Sequence, residues 1–226
     1  PLTLVLPRTP DCPIPPLASA GLGTIAVRAP DHRVARTLLS AFGGPLVAPS
    51  ANVSGQLSPT AAKHVERSFG DDVRMILDGG PCRVGLESTV IGCFDNAVWL
   101  LRPGGIENEA IEDLVGVRLR EAMPGDSIRA PGQLQSHYAP DLPLRLNATT
   151  VAAGEALLAF GPHVPSGAAT VQNLSKAANL QEAAAHLFAM LHDLDRPDFD
   201  GIAVAPIPNK GLGVAINDRL IRAADR

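Results

Sequence analysis

Short β-branched and aliphatic runs alternate with amphipathic segments on both sides of one proline-bearing stretch, and this alternation most restricts what the chain can become. Before that stretch, strand patterns fall at residues 2–6, 24–28, 88–91 and 98–101. Asp31 opens a helix with Val34, Ala35, Leu38, Leu39 and Phe42 on one face, and Gly43-Gly44 ends it. Met75-Ile76-Leu77-Asp78 leads into a Gly79-Gly80-Pro81 turn, and Asp95-Asn96 suits a hairpin turn. Ile111, Leu114 and Val115 mark a short helix stopped by Gly116. Residues 117–143 carry Pro124, Pro131, Pro140 and Pro143 without sustained periodicity and read as a linker. Beyond it come a strand at 156–160, an amphipathic helix at 180–194, a strand at 201–205 and a helix at about 212–223. The expected class is α/β: an α+β domain with a mixed, twisted sheet at 1–116, the linker, and a small Rossmann-like α/β domain at 144–226.

The densest chemistry lies in residues 45–60. Pro45-Leu46-Val47-Ala48 suits a short buried strand that Pro49 stops. Ser50, Asn52, Ser54 and Gly55 then supply small polar groups on a pliable backbone. Ser58 is placed to cap a helix with Pro59 in its first turn, running to Phe69 before Gly70. The free N–H groups of such a helix start would favour a phosphate or carboxylate.

Net charge is −4 at pH 7, and only eight aromatic side chains are present (one Trp, one Tyr, six Phe). An extended basic, aromatic-studded nucleic-acid surface is therefore excluded, and any RNA contact would have to be local. Cys12, Cys82 and Cys93 are odd in number and lack paired ligand spacing, which argues against a disulfide framework or structural zinc and for a reducing, cytoplasmic setting. No apolar run reaches the roughly 20 residues that span a bilayer.

Arg28 and Arg102 each end a strand pattern, and Pro103-Gly104-Gly105 lets the backbone turn closely after Arg102. Two guanidiniums on one sheet rim can grip anions. Glu87-Ser88-Thr89 offers hydroxyls to a small polar substrate; without a Gly-x-Ser-x-Gly context Ser88 is not read as a nucleophile. His137 and Tyr138, the only tyrosine, sit in the linker, where they either lie over a pocket or dock the linker on a domain. Gly21-Leu22-Gly23 and Gly211-Leu212-Gly213 complete no three-glycine dinucleotide fingerprint.

In order and spacing, residues 24–28, Pro49-Ser50-Ala51-Asn52, Ser58-Pro59-Thr60, Leu77-Asp78-Gly79-Gly80, Glu87-Ser88-Thr89-Val90, Leu101-Arg102-Pro103-Gly104-Gly105 and His137-Tyr138-Ala139-Pro140 resemble the YrdC-like threonylcarbamoyl-AMP synthases. Residues 211–219 look like the carboxyl-terminal domain of the two-domain members. The resemblance implies a YrdC-like catalytic domain and a nucleotidyltransferase that makes threonylcarbamoyl-AMP and pyrophosphate from L-threonine, bicarbonate and ATP, for threonylcarbamoyladenosine in tRNA. It implies Arg28, Ala48 and Ser88 around threonine, and Thr24, Ser50, Asn52, Ser58, Arg102 and Tyr138 around ATP. Mg²⁺ would ride on the triphosphate with no protein ligand set, and tRNA-modification proteins would act downstream. Family members carry a further portion before the strand matched by residues 2–6, with basic residues near the phosphates. The resemblance thus casts these 226 residues as amino-terminally incomplete and expects them alone to turn over weakly or not at all. A sister activity, carbamoyl transfer to another acceptor, fits the carboxyl-terminal unit less well; the other alternative is a non-catalytic relative that binds nucleotide or RNA.

Overall fold

The computed structural model describes residues 1–94, 96–121 and 138–225; His137 and the rest of 122–137, and Asp95 of the expected hairpin turn, lie outside the described residues. The chain forms two compact units, Pro1–Pro49 with Glu87–Leu134, and Ser50–Leu86 with Gln135–Arg226.

The first unit is built on a mixed five-stranded sheet. Its strands are β1 (Leu2–Pro7), β2 (Thr24–Val27), β3 (Thr89–Phe94), β4 (Ala97–Arg102) and β5 (Arg120–Glu121), in the order β2-β1-β3-β4-β5. β1 runs antiparallel to β2 and parallel to β3, β3 antiparallel to β4, and β4 parallel to β5. Alternation along the strands splits the apolar side chains: Val5, Val90 and Leu101 pack with Phe94 and Trp99, while Ile91 and Leu100 pack with Ile111 of α3 (Asn108–Val115). β5 lies inside the stretch read as linker, which therefore begins as an edge strand.

Two expectations in this unit are corrected. Residues 45–48 form no strand, and Val47 is 70% exposed. Prolines on both sides remove the N–H groups a ladder would use. Helix α1 (Arg33–Phe42) forms and ends at Gly43 in the left-handed conformation, but its cap is His32 rather than Asp31 and none of its residues is buried.

The second unit carries a parallel sheet of β6 (Leu144–Arg145), β7 (Glu155–Ala159), β8 (Thr170–Asn173) and β9 (Gly201–Val204), ordered β6-β9-β7-β8. Its helices are α2 (Ala62–Phe69), α4 (Leu180–Leu194) and α5 (Leu212–Ala224). Ala156, Leu157, Leu158 and Ala159 are wholly buried, the continuous apolar run expected of a parallel strand covered on both faces. α4 starts where the Asn179 side chain accepts from the N–H groups of Gln181 and Glu182, and it presses Leu187, Phe188 and Leu191 into the same core as Ile202 and Ile216. Leu57, Leu86 and Tyr138 belong to that core too. The 79–86 loop lies so close to α4 that a Cβ on Gly85 would stand 2.2 Å from the carbonyl oxygen of Ala184. The fold is α/β overall, with one mixed and one parallel sheet. No described helix is long and apolar enough to cross a membrane.

Candidate functional site

Register alone gathers three of the expected residues. β1 and β3 start together, with Leu2 opposite Thr89, while their antiparallel neighbours β2 and β4 end there. Ser88 precedes β3, Arg102 closes β4, and Arg28 follows β2; continuing the Leu4–Val27 register one step sets Arg28 opposite Thr3. Arg28, Ser88 and Arg102 therefore share one end of the five-stranded sheet. Thr24, paired with Pro7, lies at the other end of β2, about 13 Å along the strand.

Hydrogen bonds tie that end together. The Ser88 and Thr3 hydroxyls are 2.7 Å apart, and the Arg102 guanidinium donates to the Ser88 carbonyl at 2.9 Å. The Thr89 hydroxyl donates to the Ile106 carbonyl at 2.7 Å and accepts from the Ile106 N–H at 2.9 Å, while the Gly105 N–H donates to the Glu87 carbonyl at 2.9 Å. A Cβ on Gly104 would stand 2.4 Å from backbone atoms of Ser88 and Thr89, so only glycine lets the 103–105 turn lie on this segment. Ser88 is thereby buried with its hydroxyl held at the strand start. Ala48 belongs to the same unit, exposed in a segment without regular structure.

The second unit holds Ser50, Asn52, Ser58 and Tyr138. Asn52 is buried; its amide donates to the carbonyls of Val53 (3.1 Å) and Gln56 (2.9 Å), and its Oδ1 has no partner. An anchored amide with an orphaned acceptor is suited to a ligand that brings a donor, such as a sugar hydroxyl, since a phosphate oxygen can only accept. The Ala139 N–H donates to the Gly55 carbonyl at 2.8 Å, aligning the 138–139 segment beside the Asn52–Gln56 loop. Tyr138, in the left-handed region at φ 68°, packs its ring on Phe188 at 5.7 Å and beneath the Arg219 guanidinium at 5.1 Å. Arg219 is itself buried and paired with Asp218.

Ser58 is not a helix cap. α2 begins at Ala62, with Ala61 as its N-cap and no side-chain cap bond; Gly70 ends the helix as the sequence predicts. Residues 58–60 are held instead by other partners. The Ser58 carbonyl accepts from His192 Nε2 (3.1 Å), the Thr60 N–H donates to His64 Nδ1 (3.1 Å), and the Thr60 carbonyl accepts from the Cys82 N–H (2.9 Å). Burial lowers the pKa of both histidines, that of His64 to about 4, with the neighbouring imidazole adding to the shift at His64. Both rings are neutral at pH 7.

The sequence reading singles out none of Thr3, His64 or His192. The four-residue spacing of Thr60 and His64 across the start of α2 is the one local signal for that pair; Thr3 and His192 reach the site only through sheet register and tertiary packing.

Residues 1–104 match the family model described as telomere recombination (Sua5/YciO/YrdC), and residues 106–225 match the carboxyl-terminal domain of threonylcarbamoyl-AMP synthase. The chain is 37% identical over 240 residues to threonylcarbamoyl-AMP synthase of Bacillus subtilis, covering 99% of itself and 69% of that protein. It is 36% identical over 252 residues to the synthase of Pyrococcus abyssi, covering 99% and 70%. The chain belongs to the threonylcarbamoyl-AMP synthase family. Among solved structures, Sua5 of P. abyssi complexed with L-threonine superposes with a TM-score of 0.87 at 33% identity, covering 99% of this chain and 70% of that one. A variant of the same Sua5, with alanines replacing a His and an adjacent Tyr, superposes at 0.83. The α/β fold, with its mixed and its parallel sheet, agrees with the superposition on Sua5.

Proposed function

We propose that the chain forms L-threonylcarbamoyladenylate and pyrophosphate from L-threonine, bicarbonate and ATP, the adenylate serving threonylcarbamoyladenosine formation in tRNA. The whole-chain likeness to a Sua5 solved with L-threonine carries this reading. In chemical terms, the threonine amine adds bicarbonate with loss of water to give a carbamate. A carbamate oxygen then attacks the α-phosphorus, and the bond to pyrophosphate breaks. The step demands alignment, charge stabilisation and shelter from water more than a covalent nucleophile.

In this reading Arg28 pairs with the threonine carboxylate, with Ala48 and Ser88 completing its pocket. Arg102 offers charge to the phosphates, Ser50 and Ser58 offer hydroxyls, Asn52 offers its orphaned Oδ1 to a hydroxyl of the nucleotide, and Thr24 and Tyr138 complete the ATP contacts. The alignment of residues 138–139 beside the Asn52–Gln56 loop supports the place of Tyr138 in that set. The functional modules in this proposal are residues 1–116 and 144–226 joined by 117–143, working in the cytoplasm, with tRNA-modification proteins downstream and any RNA contact local.

Among the described residues no group of three or more His, Cys, Asp or Glu side chains could hold a metal ion. Any Mg²⁺ would arrive with the triphosphate, and no step is assigned to it.

Pyrophosphate release measured with L-threonine, bicarbonate or both omitted tests the activity. The proposal expects release that requires both. ATP binding without that requirement would favour the non-catalytic nucleotide-binding reading.

A further inference from the structure

The segment 58–60 is gripped at the two peptide groups that flank Pro59. Proline fixes its own φ and has no N–H, so the Ser58 carbonyl and the Thr60 N–H are two of the polar handles that orient this turn, beside the Thr60 carbonyl that accepts from the Cys82 N–H. Each of those two is taken by an imidazole. His64, 2% exposed on α2, accepts the Thr60 N–H at Nδ1, which fixes the tautomer protonated at Nε2. His192, on the last turn of α4, lies against it with ring centroids 4.0 Å apart and planes at 27°, and its Nε2–H donates to the Ser58 carbonyl.

Packing alone does not explain this pair. Nε2 of His64 is buried with no partner, a cost that a phenyl ring of similar shape would avoid. What a phenyl ring cannot supply is the acceptor for Thr60 or the donor for Ser58. His192 also lies in the segment matched by the carboxyl-terminal family domain, whereas Ser58, Thr60 and His64 lie in the segment matched by the catalytic one.

We infer that His192 and His64 are positioning residues that set the orientation of the Ser58–Thr60 turn toward the nucleotide, making α4 of the carboxyl-terminal domain part of the ATP site. The inference rests on the proposed role of Ser58 in binding ATP.

The test compares His192→Phe, which keeps a ring and removes the donor, with His192→Gln, which keeps a donor. ATP KM and the directly measured ATP affinity should worsen about tenfold in His192→Phe, while threonine KM stays within about twofold. His192→Gln should recover most of the loss. If His192→Phe does not fold, His64→Asn, which retains an acceptor, and His64→Leu, which does not, should show the same contrast in ATP affinity. A folded His192→Phe with unchanged ATP affinity overturns the inference while leaving the proposed function intact. So does a parallel rise in both KM values, or a glutamine or asparagine variant no better than its apolar counterpart. A wild-type protein that binds no ATP removes the proposed function and this inference together.

Discussion

Gly104 shows how far one missing methyl group reaches. The 103–105 turn lies against the start of β3 closely enough that alanine at 104 would have to displace backbone atoms of Ser88 and Thr89, which cannot swing aside as a side-chain tip can. The displaced segment holds the Ser88 hydroxyl and carries the carbonyl that receives Arg102. Gly104→Ala is therefore expected to cost about 2–3 kcal/mol in urea unfolding and to lower kcat/KM for threonine by at least tenfold. Near-wild-type values in both would mean that the turn can relax away from Ser88. Asn52 makes the complementary point: its amide hydrogens are already committed to the Asn52–Gln56 loop, so only its oxygen remains to meet a ligand.

At the level of elements, the neutral histidine stack between α2 and α4 makes stability depend on pH. The folded pKa of His64 is about 4, depressed from an ordinary value of 6.5 chiefly by burial and then by His192, Lys63 and Arg67, with Asp193 opposing. The unfolded chain binds the proton first on acidification, so the stabilisation is complete above pH 6.5 and is lost as pH falls toward 4, on the order of 3 kcal/mol in all. Urea midpoints at pH 7.5 and 4.5 should differ accordingly, and His64→Phe should flatten the acid limb; equal slopes in both proteins would contradict the stack's role. Helices were the most legible elements because their periodicity and glycine stops are local. α4 spans Leu180–Leu194 as its pattern predicts, and α3 stops at Gly116. The turn before α2 is not legible locally, because the Ser-Pro-Thr pattern of a helix start also suits a turn held from outside, and its holder His192 is remote in sequence. The short strands β6 and β8 carry no sequence signal, since two to four residues cannot display a period. The apolar stripe of α1 was legible as a helix face, yet it stays unburied within its unit.

For the whole molecule, the arrangement that matters most is the meeting of Arg28, Ser88 and Arg102 at one end of the mixed sheet. Each of these residues could be suspected from its place at a strand end. Their convergence follows from β1 being parallel to β3 and antiparallel to β2, which no local pattern reveals. Thr24 illustrates the same limit from the other side, because one strand length separates it from Arg28. The central claim is that this sheet end receives the amino-acid substrate, and calorimetric titration of L-threonine into the wild-type protein and Arg28→Gln addresses it most directly. Wild-type protein should bind L-threonine, and Arg28→Gln should bind it about a hundredfold more weakly while keeping its ATP affinity. Equal threonine affinity in the two proteins would contradict the account.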